Sequence, residues 1–154
     1  MSGAATIAAQ LAIGVGNPMR GDDAAGLLFA ARLRELRPEG LSVIEMEGEP
    51  VDLIEAWGGA SAVIVVDAVS SGAAPGTVHR VEATDSPLPA AFGGTSTHAL
   101  GLPEAIELAR SLGRLPERLT VFGVEGGDFS VGAKVDPRVA RAAAALADSI
   151  SGKP

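Results

Sequence analysis

The apolar positions of this chain fall into two kinds of pattern. Short runs with little polar alternation occur at 11–13, 41–44, 62–66 and 119–124, and such runs predict strands buried in a parallel sheet. The run 62–66 is almost entirely β-branched, so we predict that it forms the central strand and stops at Asp67. Residues 76–82 instead alternate apolar and polar side chains after a short connection, which predicts an antiparallel edge strand.

Between the strands, apolar residues recur at the spacing of an amphipathic helix. We predict helices over 22–36, 50–57, 102–112 and 136–150. The residues predicted to face the core are, in chain order, Ala24, Leu27, Leu28, Ala31; Val51, Ile54, Trp57; Leu102, Ala105, Ile106, Ala109, Leu112; and Val139, Ala143, Leu146, Ile150. Alternating strands and helices predict an α/β fold with a mostly parallel five-stranded sheet and one antiparallel strand.

Length and composition narrow the class of protein. With 154 residues, 47% of them apolar, the chain suits one well-buried domain over 1–154, and we expect residues 1–8 to be a flexible tail. A net charge of −7 without a basic patch argues against a nucleic-acid partner. No basic residue precedes Arg20, and no apolar run approaches the roughly 20 residues of a membrane helix. We therefore expect a soluble, cytoplasmic protein with no membrane partner.

The chain has no cysteine, which excludes disulfides, thiolate ligands and a cysteine nucleophile. Any metal site must therefore use carboxylates, histidine or carbonyl oxygens. Only two histidines are available. We interpret His79 as a surface residue, because it lies in the alternating strand beside Arg80 and Glu82.

The loop after the first strand carries two adjacent acids, Asp22 and Asp23, behind Gly14, Gly16 and Gly21. Glycines permit close backbone approach or positive φ, so the loop should be tight. Asp22 can cap the following helix and Asp23 can lie in its first turn. Since capping needs one acid only, the other can point into the crevice where open α/β sheets place their ligands.

Two further residues stand at junctions of the same kind. Asp67 follows the most apolar strand, where a buried carboxylate needs a cation, several N–H donors or a metal, although it could instead cap the turn at 70–72. His98 stands at a helix entrance, either as a ligand or as a structural hydrogen-bonding group, and Thr95, Ser96 or Thr97 can cap that helix. Asp23, Asp67 and His98 together form a reasonable ligand set for zinc, nickel or manganese. Metal-assisted hydrolysis is then chemically plausible.

Five segments in this order resemble the hydrogenase maturation endopeptidases: Gly14-Val15-Gly16-Asn17 with Gly21-Asp22-Asp23, Val65-Val66-Asp67-Ala68, Pro75-Gly76-Thr77, Thr97-His98-Ala99-Leu100-Gly101-Leu102 and Val121-Phe122-Gly123-Val124. The resemblance implies a three-layer α/β/α sandwich. It also implies a nickel-recognising, aspartic-type endopeptidase that trims the carboxy-terminal extension of the large-subunit precursor of a nickel-iron hydrogenase. Asp23, Asp67 and His98 match the metal-binding residues of the family, and the nickel they contact is that of the precursor. One copy suffices for such a reaction, so we expect a monomer.

One loop departs from the family pattern. Many relatives carry an Asp-Gly-Gly-Thr motif after the second strand, whereas this chain has Glu45-Met46-Glu47-Gly48-Glu49-Pro50. If the loop contacts the hydrogenase, this protein should serve another hydrogenase subtype or position its substrate differently.

Two other functions are compatible with parts of these motifs. A nickel-sensing chaperone of the large subunit would need the same three ligands but would cut nothing. A dinucleotide-binding loop at 14–17 is the weaker alternative, because the full glycine fingerprint is absent and Asp22-Asp23 would repel a pyrophosphate.

Overall fold

The computed structural model describes residues 9–93 and 101–152. Its strands are β1 (Leu11–Val15), β2 (Ser42–Met46), β3 (Ala62–Val69), β4 (Val78–Glu82) and β5 (Arg118–Glu125). Its helices are α1 (Ala25–Glu35), α2 (Pro50–Trp57), α3 (Leu102–Ser111) and α4 (Pro137–Ser151), with short 3-10 turns at Gly21–Ala24 and Ala90–Gly93. The predicted tail 1–8, His98 and its candidate caps at 95–97 lie outside the described residues.

The strands form one sheet in the order β2-β1-β3-β5-β4, in which only β4 runs antiparallel. This confirms the predicted mixed sheet, the central position of β3 and the antiparallel edge strand. β3 continues to Val69, however, so the prediction that it stops at Asp67 was wrong. Pairing with β5 extends it, because Asp67, Ala68 and Val69 oppose 123–125.

Helices cover both faces of the sheet, which confirms the three-layer sandwich. One apolar cluster joins the sheet to α2 and α3, and another joins it to α1 and α4. Alternate residues of each strand supply the two clusters because successive side chains point to opposite faces. In β3, Val63 and Val65 face α2 and α3, while Ile64 and Val66 face α1 and α4.

The inward faces of three helices differ from the predicted ones. Ala31 is exposed in α1, whose buried stripe is Ala25, Gly26, Phe29, Ala30 and Leu33. Val51 is 61% exposed in α2, where Leu53 is buried instead, and Leu112 lies exposed after the end of α3. The stripe of α4 is as predicted, and Asp136 caps this helix by accepting a hydrogen bond from the Arg138 N–H.

The start of α1 approaches the sheet very closely. A Cβ on Gly26 would overlap the carbonyl oxygens of Val15 and Val66, and one on Gly14 would overlap the Gly26 carbonyl. These contacts hold the beginning of α1 against the carboxyl ends of β1 and β3. The loop that carries Asp22 and Asp23 therefore lies over the edge of the sheet where Asp67 is placed.

Candidate active site

Asp23 and Asp67 come together at the carboxyl edge of the sheet. Each side chain is only 6% exposed. Burial, and then the nearby charge of Asp23, raise the pKa of Asp67 well above its ordinary value. A pKa raised by a second carboxylate means that two negative charges share a poorly solvated space. Such a pair is suited to receive a cation.

Backbone N–H groups donate to both acids. Asp67 Oδ1 accepts a hydrogen bond of 2.8 Å from the neighbouring Ala68 N–H, and Asp23 Oδ2 accepts one of 3.1 Å from the Asn17 N–H. The turn at 70–72 gives Asp67 no donor in the described structure, so the interpretation of Asp67 as a cap of that turn is not supported. The charge of Asp23 is instead close enough to raise the pKa of Asp67.

Asp22 has a structural role, but not the predicted one. Its carboxylate is 1% exposed and accepts hydrogen bonds from the N–H groups of Gly127 (2.8 Å), Asp128 (3.2 Å) and Asp136 (2.8 Å). Neither the 3-10 turn nor α1 has a side-chain cap. The prediction that Asp22 caps the helix was wrong, because the loop after β5 supplies three donors that local sequence does not reveal.

Glu125, like Asp22, is a buried acid at this edge that accepts several hydrogen bonds. The side chain is 1% exposed and accepts hydrogen bonds from Ser71 N (2.7 Å), Ser71 Oγ (2.6 Å) and His79 Nε2 (3.0 Å). Burial would raise the pKa of Glu125, but the Ser71 hydrogen bonds and His79 outweigh it, so the pKa is lowered. Ser71, in the turn after β3, thus has its N–H and hydroxyl groups bound to Glu125, the last residue of β5.

The structure also corrects the interpretation of His79. It opposes Gly123 in the sheet and shares its face with Val81, not with Arg80 and Glu82. Its side chain is 34% exposed and pairs with Glu125. The alternation in the sequence does not predict which face of the strand is exposed to solvent. The structure shows that the face carrying His79 is the half-buried one.

The third predicted ligand, His98, lies outside the described residues, so the three-residue site as a whole stays a prediction. Within residues 9–93 and 101–152, no three histidine or acidic side chains are close enough to hold a metal ion. The acids of the 45–50 loop do not add to the site. Glu45, Glu47 and Glu49 are exposed, and Glu45 pairs with Arg34.

The sheet order and the two helical layers define a class of α/β fold to which solved maturation proteases belong. An endopeptidase from Escherichia coli, solved in solution, matches with a TM-score of 0.76 and 26% identity over 90% of this chain and 88% of that one. The hydrogenase maturation protease HycI from Thermococcus kodakarensis matches in fold, with a TM-score of 0.74 and 23% identity over 94% and 92%.

The sequence comparisons name the family. The family model for hydrogenase maturation protease (HycI) matches residues 30–153. The hydrogenase 2 maturation protease of Escherichia coli K12 is 30% identical over 151 residues, which cover 90% of this chain and 91% of that protein. This chain therefore belongs to the hydrogenase maturation protease family, a family of hydrolases.

Not all relatives have the same length. The chain spans 71% of HupM from Azotobacter chroococcum and 63% of HupD from Rhodobacter capsulatus, both hydrogenase expression/formation proteins. No helix in the described part of this chain is long and apolar enough to cross a membrane.

Proposed function

We propose that this protein is an endopeptidase that removes the carboxy-terminal extension from the large-subunit precursor of a nickel-iron hydrogenase after nickel has been inserted. The observation that carries the proposal is the buried pair Asp23 and Asp67. Membership of the maturation protease family gives the reaction class, and the acidic pair gives a place where a cationic part of the substrate can bind.

In this proposal the nickel belongs to the substrate. Asp23 and Asp67 would each give it a carboxylate oxygen, and His98 would add an imidazole nitrogen. Carboxylate and imidazole ligands suit nickel, and they would suit zinc or manganese as well. A bound cation would offset the repulsion between the two acids, so binding would be strongest when the precursor carries its metal.

The surrounding residues hold the acids in place. The Asn17 N–H orients the Asp23 carboxylate, and the Ala68 N–H orients that of Asp67. Asp22 ties the loop of Asp23 to the loop after β5. The scissile peptide bond would thus meet a rigid acidic edge, and the metal would supply Lewis acidity at its carbonyl group.

The test is incubation of the purified protein with a nickel-loaded and a nickel-free precursor. We expect a shortened large subunit with a new carboxy terminus, detected by mass spectrometry, from the nickel-loaded precursor only. His98→Ala should abolish cleavage. Unimpaired processing by that variant would contradict the role given to His98, and nickel-dependent binding without a new carboxy terminus would favour a chaperone instead.

A further inference from the structure

A cavity of about 320 Å³ lies beside the acidic pair, on the face of the sheet that α2 and α3 cover. Its walls are mostly apolar, with a few polar groups. They are formed by Val69, Ser71, His79, Val81, Pro89 and Phe92, together with Arg80 and Ala91. Ligand pockets of proteins are typically of about 300–1,000 Å³, so this one suits a fragment such as a single side chain with its peptide group.

The register of the sheet relates the position of the cavity to that of the site. Asp67 opposes Gly123 on β5, and Gly123 opposes His79 on β4, so Asp67 and His79 belong to one transverse row and project from the same face. Neighbouring strands are about 4.8 Å apart, which places the two backbones roughly 10 Å apart. An extended peptide covers that distance in about three residues.

The Phe92 ring fills the space over Gly123, in the middle of this row. A Cβ there would come within 2.8 Å of the Phe92 ring, so the ring lies directly over the glycine. Phe92 is 3% exposed and forms part of the cavity wall. The wall nearest the acidic pair is therefore an anchored aromatic side chain, not a solvated loop.

His79, one of the polar groups in the cavity wall, is oriented by its contact with Glu125. Glu125 is ionised at neutral pH, because its pKa is lowered, and an ionised carboxylate can only accept hydrogen bonds. The contact of 3.0 Å between His79 Nε2 and Glu125 Oε1 therefore requires a proton on Nε2. Nδ1 is then the ring nitrogen of His79 that remains available to a peptide group of the substrate.

We propose that this cavity is a specificity subsite that receives an apolar side chain of the substrate polypeptide within about three residues of the bond that is cut, with His79 Nδ1 forming a hydrogen bond with the same segment. The inference rests on the proposed function. Glu125 acts as a positioning residue, because it contacts His79 and not the substrate.

The experiment measures cleavage of nickel-loaded precursors in which each of the three residues on either side of the cut is replaced by Asp in turn. We expect one position at which Asp lowers kcat/KM at least tenfold. Val81→Lys should restore cleavage of that precursor at least tenfold over the unaltered enzyme, because it adds an ammonium group to the cavity, where the guanidinium group of Arg80 is paired with Glu82. Ala91→Lys, on another wall, provides the same test should Val81→Lys fold poorly.

Val78→Lys is the matched control, since Val78 is 41% exposed and lies on the opposite face of β4. It should leave the preference unchanged. His79→Gln should raise KM and leave kcat nearly unchanged, whereas a merely structural His79 would lower thermal stability without changing KM.

The possible failures are distinguishable. If the unaltered enzyme cuts the nickel-loaded precursor but tolerates Asp at all six positions, or if neither lysine variant restores cleavage, the subsite is wrong and the endopeptidase stands. If the enzyme cuts no precursor, the proposed function itself is wrong, and if Asp67→Asn cuts as well as the unaltered enzyme, the role given to the acidic pair is wrong.

Discussion

Buried carboxylates at one edge of this sheet fall into two groups with opposite surroundings. Asp22 and Glu125 are each 1% exposed and each accept three hydrogen bonds. Asp23 and Asp67 are each 6% exposed, and the charge of Asp23 helps to raise the pKa of Asp67. A buried carboxylate surrounded by donors is stable by itself, whereas two buried carboxylates that repel each other are stabilised by a bound cation. Burial alone therefore does not separate the two groups, and the interaction between Asp23 and Asp67 does.

Replacing an acid of the repelling pair should have the largest effect on function and the least on folding. Asp67→Asn keeps the size of the side chain but removes one of the two charges. We expect precursor processing to fall at least a hundredfold, while the thermal unfolding midpoint is unchanged or higher. Asp52→Asn, an exposed acid in α2, is the control and should alter neither. A clear loss of stability in Asp67→Asn would place Asp67 with the structural acids.

Asp22→Ala should have the reverse effect, with folding damaged most. Three backbone N–H groups lose their acceptor together, so we expect the free energy of unfolding to fall by about 3 kcal/mol. Urea denaturation measures this change, with Asp52→Ala as the control. If the variant is as stable as the unaltered protein, the loop after β5 finds its acceptors elsewhere and the division into two groups fails.

Glu125→Gln should show a smaller loss that depends on pH. Above the ordinary pKa of 4.5 the ionised Glu125 stabilises the fold, and a lost charge-assisted network is worth about 2 kcal/mol. Because the pKa of Glu125 is lowered in the folded state, this contribution is lost as the pH falls from 4.5 through the folded-state pKa. The stabilities of the two proteins should therefore converge in acid, as measured by urea denaturation at several pH values. The exposed Glu117→Gln should show no such convergence.

The smallest effect is expected at Asp136, the partly exposed cap of α4. Its hydrogen bonds to Arg138 lower its pKa to about 2. The cap is fully charged above the ordinary value of 3.8 and is lost as the pH falls through about 2. Asp136→Asn should lower the unfolding midpoint less than either buried variant, with the difference shrinking between pH 4 and 2. An effect as large as that of Asp22→Ala would show that burial does not explain how much each acid contributes to stability.

Much of the fold could be predicted from the sequence because it depends on local patterns. The uninterrupted apolar run of β3, the alternation in β4 and the Asp136-Pro137 start of α4 each report a local environment. The inward face of α1 could not be predicted this way. Small residues, Ala25 and Gly26, bury more completely than Leu27 and Leu28 because the helix approaches the sheet too closely for large side chains at that point.

The candidate site likewise has features that the local sequence predicts and features that only the tertiary structure sets. The sequence by itself placed Asp23 and Asp67 at strand and loop ends, since an acid after an apolar run stands out, and Glu125 carries the same signal. Only the tertiary structure decided which acids accept three hydrogen bonds and which lie close enough to act on each other's charge. The donors for Asp22 lie more than a hundred residues away along the chain, and the partner of Glu125 on β4 reaches it only through the pairing of the sheet.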